Sequence, residues 1–251
     1  MIKEIYGLPN NLVLIIVYNP YCIIRFLKIK SMPNFIHHDT PKLTRVDGPS
    51  GRYYATPEGN HYPSVTGIVG LGGQKYIDEW RDKVGHDVAD KISKSAADRG
   101  TLIHENCERY LRGESLSFGM FQQTELRMFN HLLPILKDIT EIHALETQLY
   151  SDRLKCAGTV DLICRLSDNR MVILDWKTSG RFKESKDIEH YFCQCSAYAY
   201  MFYERTGIAI GSIIIAMTTE EFGLLKFEEG TKKWLPRFIQ MRKEFENQTG
   251  K

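Results

Sequence analysis

Three segments between Glu141 and Trp176 alternate apolar and polar residues with a period of two, and no other feature restricts the fold of this chain as much. Residues Glu141–Ser151, Cys156–Leu166 and Met171–Trp176 each read as strands, because successive side chains of a strand leave opposite faces. The tetrapeptide Ser167-Asp168-Asn169-Arg170 is a tight-turn sequence, so the last two strands form a hairpin. Upstream the period is helical. Helices are expected over Lys75–Ile92, with Ile77, Trp80, Val84, Val88 and Ile92 facing inward, and over Ala96–Leu111, stopped by Gly113. A third covers Thr124–Lys137 and is bent or shortened by Pro134. Downstream come a helix over Asp187–Arg205 ended by Gly207, strands over Ile210–Met217 and Leu224–Phe227, and a helix over Lys232–Asn247. Residues 33–63 are rich in Pro, Gly, His, Asp and Tyr and read as loops, with a short hairpin around Gly51–Tyr62. This order predicts one α/β domain: a mixed central β-sheet flanked by helices, with an N-terminal helical region.

The chain has 251 residues, enough for a hydrophobic core without disulfide or metal staples. Lys plus Arg is 33 against 31 for Asp plus Glu, so a polyanion site has to come from local clustering. The six cysteines, Cys22, Cys107, Cys156, Cys164, Cys193 and Cys195, include no C-x-x-C pair, which argues against a zinc or iron–sulfur site and for buried free thiols. Residues Leu12–Leu27 are apolar but interrupted by Asn19, Pro20 and Arg25, too short a run to span a membrane and without a cleavage or transit signal. Residues 1–31 are therefore expected to be a dispensable extension, with the ordinary protein starting at Met32 in a cytoplasmic setting rather than a mitochondrial one.

The chemistry concentrates in Gly158-Thr159-Val160-Asp161 and, after the turn, Asp175-Trp176-Lys177-Thr178-Ser179. Asp175 and Lys177 are two apart on a strand and leave the same face, beside the apolar run Val172-Ile173-Leu174. A buried strand carries charge only where that charge is paired or ligates a metal. Asp161 on the partner strand brings a second carboxylate towards Asp175, and a divalent cation relieves their repulsion. Hard cations of the Mg²⁺ type are held by one or two carboxylates with waters and phosphate oxygens, the minimum for phosphodiester hydrolysis. His104 and Glu108, four apart in Arg99-Gly100-Thr101-x-x-His104, share a helix face, as do Gln194 and Tyr198.

GTVD followed by DWKTS resembles the PD-(D/E)XK nuclease superfamily, with Asp161, Asp175 and Lys177 at its two acidic positions and its lysine; Val160 stands where the family pattern has proline. R-G-T-x-x-H-x-x-x-E, upstream, is similar to the helical motif of its RecB-like branch, and Q-x-S-A-Y to the motif after the lysine. Within that branch, the order of motifs over residues 64–251 is similar to phage-encoded exonucleases and the mitochondrial genome maintenance exonuclease. The resemblance implies a restriction-endonuclease-like core over about 141–251, with a helical or arch part over about 64–140. It implies Mg²⁺ or Mn²⁺ held by His104, Asp161, Asp175 and the Trp176 backbone carbonyl. Glu108 would orient the histidine, Lys177 would serve the attacking water, Gln194 and Tyr198 would position the lysine or the DNA, and Glu146 would reach the edge of the site.

The function this implies is a DNA exonuclease acting mainly on single strands with a free end, in replication, recombination or repair. The alternatives are a flap- or branch-selective endonuclease and an inactive DNA-binding subunit. No G-x-x-x-x-G-K-[ST] occurs, so no ATP is expected, and no iron–sulfur cluster or membrane either. Ser64, Thr66, Thr178, Ser179, Arg181 and Lys183 are the expected DNA contacts, with Tyr53, Tyr54 and Tyr62 available to stack on bases.

Overall fold

The computed structural model describes residues 2–8, 12–17, 32–48, 51–119 and 122–250. The three period-two segments form β7 (Ile139–Ser151), β8 (Cys156–Leu166) and β9 (Met171–Ser179), joined antiparallel in that order. The hairpin turn between β8 and β9 closes through Asn169, at φ 69°, a conformation Asn tolerates better than most residues. Strand β10 (Ser212–Thr219) lies parallel to β9, and β11 (Leu224–Gly230) antiparallel to β10. A two-residue strand, β3 (Asn34–Phe35), adds parallel to β7, so the mixed sheet runs β11-β10-β9-β8-β7-β3.

Both faces of this sheet are covered, which is why the strands carry near-continuous Val, Ile and Leu. On one face lie α1 (Val65–Gly70), α5 (Glu189–Thr206) and α6 (Thr231–Thr249), packing Ile68, Phe192, Phe202 and Phe238 against Ile163, Ile173 and Ile213. On the other lie α3 (His86–Arg112) and α4 (Gln123–Asp138), packing Ile103, Phe129 and Leu132 against Leu162, Leu174 and Trp176. The expected α/β class with a mixed central sheet between helices is the one observed.

Several boundaries differ from expectation. The apolar repeat drawn through Lys75–Ile92 crosses a break: α2 (Gln74–Val84) ends at Gly85, whose φ of 87° excludes continuing the helix, and α3 begins at His86. Ile77, Val88 and Ile92 are about half exposed, so they are not core. Helix α3 instead runs unbroken through Ala96–Leu111 and stops, as read, at Gly113 in the left-handed region. Pro134 does not shorten α4, which continues to Asp138. The hairpin near Gly51–Tyr62 is present as β5 (Gly51–Ala55) and β6 (His61–Pro63), but β4 (Thr44–Gly48) pairs with β5 to make it three-stranded.

At the N-terminus, β1 (Ile2–Leu8) and β2 (Leu12–Val17) pair with each other in a separate two-stranded sheet. The rest of the expected extension, residues 1, 9–11 and 18–31, and Cys22 with it, lies outside the described residues. The other five cysteines are buried free thiols. Among the described residues no helix is long and apolar enough to cross a membrane.

Candidate active site

The site lies where β7, β8 and β9 meet α3 from one face of the sheet and α5 from the other. Asp175 is 1% exposed, deep in β9, and its charge is accounted for: Gln194 Nε2 of α5 donates to Oδ1 at 3.0 Å, and Lys177 Nζ lies 2.6 Å from Oδ2. That distance confirms that the i, i+2 pair leaves one face. Burial pushes the Asp175 carboxyl up to about 6 against the pull of Lys177. Burial alone would lower Lys177, but the Asp175 and Asp161 carboxylates outweigh it and hold the ammonium well above its ordinary value. Tyr191 of α5 covers the ammonium with its ring, 5.0 Å away.

Asp161 of β8 is buried too. Its Oδ2, like Asp175 Oδ2, makes no hydrogen bond, but its nearest basic neighbour is farther off, His104 Nδ1 at 3.5 Å against Lys177 Nζ at 2.6 Å. Burial raises its proton affinity, with Lys177 and the Trp176 backbone pulling the other way. His104 is held edge-on to Trp176 by α3. Burial, then Lys177, lowers the imidazole to about 4, so it is neutral at neutral pH. Gly158 permits a close approach, since it lies under the Tyr198 ring; Gly100 faces Thr178 of β9 with room for a Cβ.

Glu146 completes the group. Its φ of 48° is outside the strand region, although β7 keeps one register against β8 on either side of it, with Leu145 opposite Leu162 and Thr147 opposite Val160; Thr147 Oγ1 accepts from the N–H of Leu145 and donates to its carbonyl. Burial, then Asp161, pushes its carboxyl up to about 8. One ligand atom each of His104, Glu146 and Asp161 lie within 4.8 Å of one another, a donor set of one neutral imidazole and two carboxylates suited to a divalent cation. The orphaned Oδ2 of Asp161 is an observation in favour of that fit. The expected ligand set was His104, Asp161, Asp175 and the Trp176 carbonyl; Asp175 lies beside the triad, bonded by Gln194 at Oδ1 and ion-paired with Lys177 at Oδ2.

A cavity of about 530 Å³ opens over this cluster, lined by His104, Glu108, Glu146, Gly158, Tyr198 and Thr66 among others. Glu108 lines it but pairs with Arg112 at 2.9 Å rather than with His104. Of the expected DNA contacts, Thr66 lines the cavity and Thr178 is half-buried beside Gly100. Ser64 instead caps α1, accepting from Gly67 N at 2.9 Å, and Ser179 Oγ is spent on the Arg181 turn at 2.8 Å. Arg181 is exposed and Lys183 half-buried beyond that turn. Tyr54 is buried, and the half-buried Tyr62 stacks its ring on Tyr150 and bonds Asp152 through its hydroxyl. The sequence reading missed Arg45 and Arg52, which also line the cavity.

Two buried carboxylates and a lysine on the sheet, with His104 of α3 completing a metal-suited triad, are groups that a metal-dependent nuclease site requires. The sequence comparison agrees: residues 86–247 match the PD-(D/E)XK nuclease superfamily, and the chain belongs to it. Nucleases of this superfamily use divalent metal and act on DNA. A comparison with curated proteins finds no match. Among solved structures, a crystal structure from Eubacterium rectale described as "Putative exonuclease" is similar at 14% identity and a TM-score of 0.37. The match covers 74% of this chain and 66% of that one.

Proposed function

We propose that this chain is a divalent-metal-dependent DNA exonuclease that hydrolyses mainly single-stranded DNA from a free end, in a cytoplasmic setting, during replication, recombination or repair. The observation that carries it is the convergence of His104, Glu146 and Asp161 beside the Asp175–Lys177 pair, with His104 and Glu146 lining an open cavity. His104, Glu146 and Asp161 would hold Mg²⁺ or Mn²⁺, with the Trp176 carbonyl and Asp175 adjoining. A cation bound there supplies Lewis-acid polarisation of a phosphate oxygen and acidifies bound water.

The chain's own groups have separate tasks. The neutral His104 imidazole offers a lone pair. Lys177, held protonated by Asp175, is a fixed positive charge for a phosphate oxygen rather than a proton acceptor. Gln194 orients Asp175 through its amide, and Tyr198 walls the cavity against Gly158. Thr66, Thr178, Arg181 and Lys183 contact the strand. Degradation needs neither ATP nor an iron–sulfur cluster, and residues 1–31 are dispensable for it.

Linear and circular single-stranded DNA of equal length test the free-end requirement in Mg²⁺ and in Mn²⁺. Degradation of the linear form with an intact circle is expected. Cleavage of the circle at a comparable rate would make the chain a structure-selective endonuclease instead. Deleting residues 1–31 should leave the linear rate unchanged.

A further inference from the structure

We propose that Arg45 and Arg52 form a seat for a backbone phosphate of the single strand whose cleavage is proposed above, and the seat rests on that reading. Both residues lie in the β4–β6 sheet, outside the residues matched to the superfamily, and both line the cavity over the metal-suited cluster. The register pairs Arg45 with Tyr54 and Asp47 with Arg52 across β4 and β5, so all four side chains leave one face. Asp47 accepts from Arg45 Nε at 2.8 Å and from Arg52 Nε at 3.0 Å. Two guanidiniums thus share one carboxylate, leaving one positive charge over. Their terminal nitrogens make no other hydrogen bond among the described residues, and both side chains are more than a third exposed.

The seat is fixed to the catalytic strands. Tyr54 and Leu43 pack on Tyr150 and Ala157 of β7 and β8. Leu43 N–H donates to Gln148 Oε1 at 2.8 Å, two residues beyond Glu146. Ser64 N–H donates to the Arg52 carbonyl at 2.9 Å, and Ser64 bridges to Ala157, the residue before Gly158. The cavity lining also carries Glu105 and Glu108, carboxylates that repel a polyanion. A strand entering the cavity needs cations that offset them, and guanidinium is the group whose fork matches a phosphate.

The test is binding of a fluorescent single-stranded oligonucleotide in Ca²⁺, titrated with KCl, by the wild-type chain, the Arg45→Ala/Arg52→Ala double variant and Asp47→Asn. Loss of this one phosphate contact should flatten the slope of log affinity against log salt by about 0.7, the value for one neutralised phosphate on single strands. Asp47→Asn, which frees both guanidiniums, should tighten binding and steepen the slope, and it decides the matter if the double variant does not fold. Unchanged slopes in the folded double variant, no tightening in Asp47→Asn, or no binding by the wild type would overturn the seat. A wild-type chain that binds with the expected slopes but degrades no DNA in Mg²⁺ or Mn²⁺ would overturn the nuclease reading alone.

Discussion

The Tyr198 hydroxyl occupies the space in which a side chain at Gly158 would begin: a Cβ built on Gly158 meets Tyr198 Oη at 2.8 Å and Cε1 at 2.9 Å. The glycine of G-T-V-D and the tyrosine of Q-x-S-A-Y, forty residues apart, are therefore one packing unit. Tyr198 is 1% exposed, so packing holds its ring in this place.

Gly158→Ala should cost about 1–3 kcal/mol by overpacking. In a Tyr198→Ala background the same change should cost close to nothing, because the obstructing ring is gone. Denaturant unfolding of the four proteins measures the coupling. An equal cost in both backgrounds would show that Gly158 is constrained by something other than Tyr198.

His104→Ala removes the neutral imidazole from the triad with Glu146 and Asp161. The half-saturating Mn²⁺ concentration for cleavage should rise about tenfold or more, with DNA binding changed less. A metal titration at fixed DNA reads this directly. An unchanged midpoint with full activity would make His104 a packing residue against Trp176.

Stability should depend on pH through Glu146. Its folded-state carboxyl lies at about 8 against an ordinary 4.5, so the folded chain holds more protons between those values. By linkage that stability is present below pH 4.5 and is lost as pH rises to 8. Asp175, at about 6, contributes in the same direction at lower pH, while neutral His104 acts oppositely between about 4 and 6.5. From pH 6.5 to 8 the Glu146 contribution remains. In EDTA the melting temperature should fall across that interval, and Glu146→Gln should flatten the fall. Mn²⁺ should raise the melting temperature more at pH 8 than at pH 6.5. A wild-type profile in EDTA that is flat or rising there would contradict the assignment.

The catalytic strands were legible from their period of two, and the apolar run Val172-Ile173-Leu174 makes the neighbouring Asp175 and Lys177 stand out. The glycine stops at Gly113 and Gly207 were legible for the same local reason: both take left-handed φ as helix caps. Gly85 was not, because an apolar repeat of helical spacing continues across it although Ile77, Val88 and Ile92 do not reach the core. Strand β4, TRVDG, is exposed throughout, so it lacks the alternation that marks a half-buried strand. Glu146 joins the metal-suited triad through a backbone distortion of β7 that no side-chain pattern records, and Arg45 and Arg52 reach the cavity only through tertiary docking of β4–β6.

Nucleotide release from linear single-stranded DNA, measured for the wild type, Asp175→Asn and Lys177→Ala in Mg²⁺, Mn²⁺ and EDTA, tests most directly whether these residues form one metal-dependent centre. The wild type should degrade DNA with either cation and stop in EDTA. Each variant, confirmed folded by circular dichroism, should be slower by about a hundredfold or more. A folded Asp175→Asn chain digesting at the wild-type rate, or a wild type equally active in EDTA, would contradict the account.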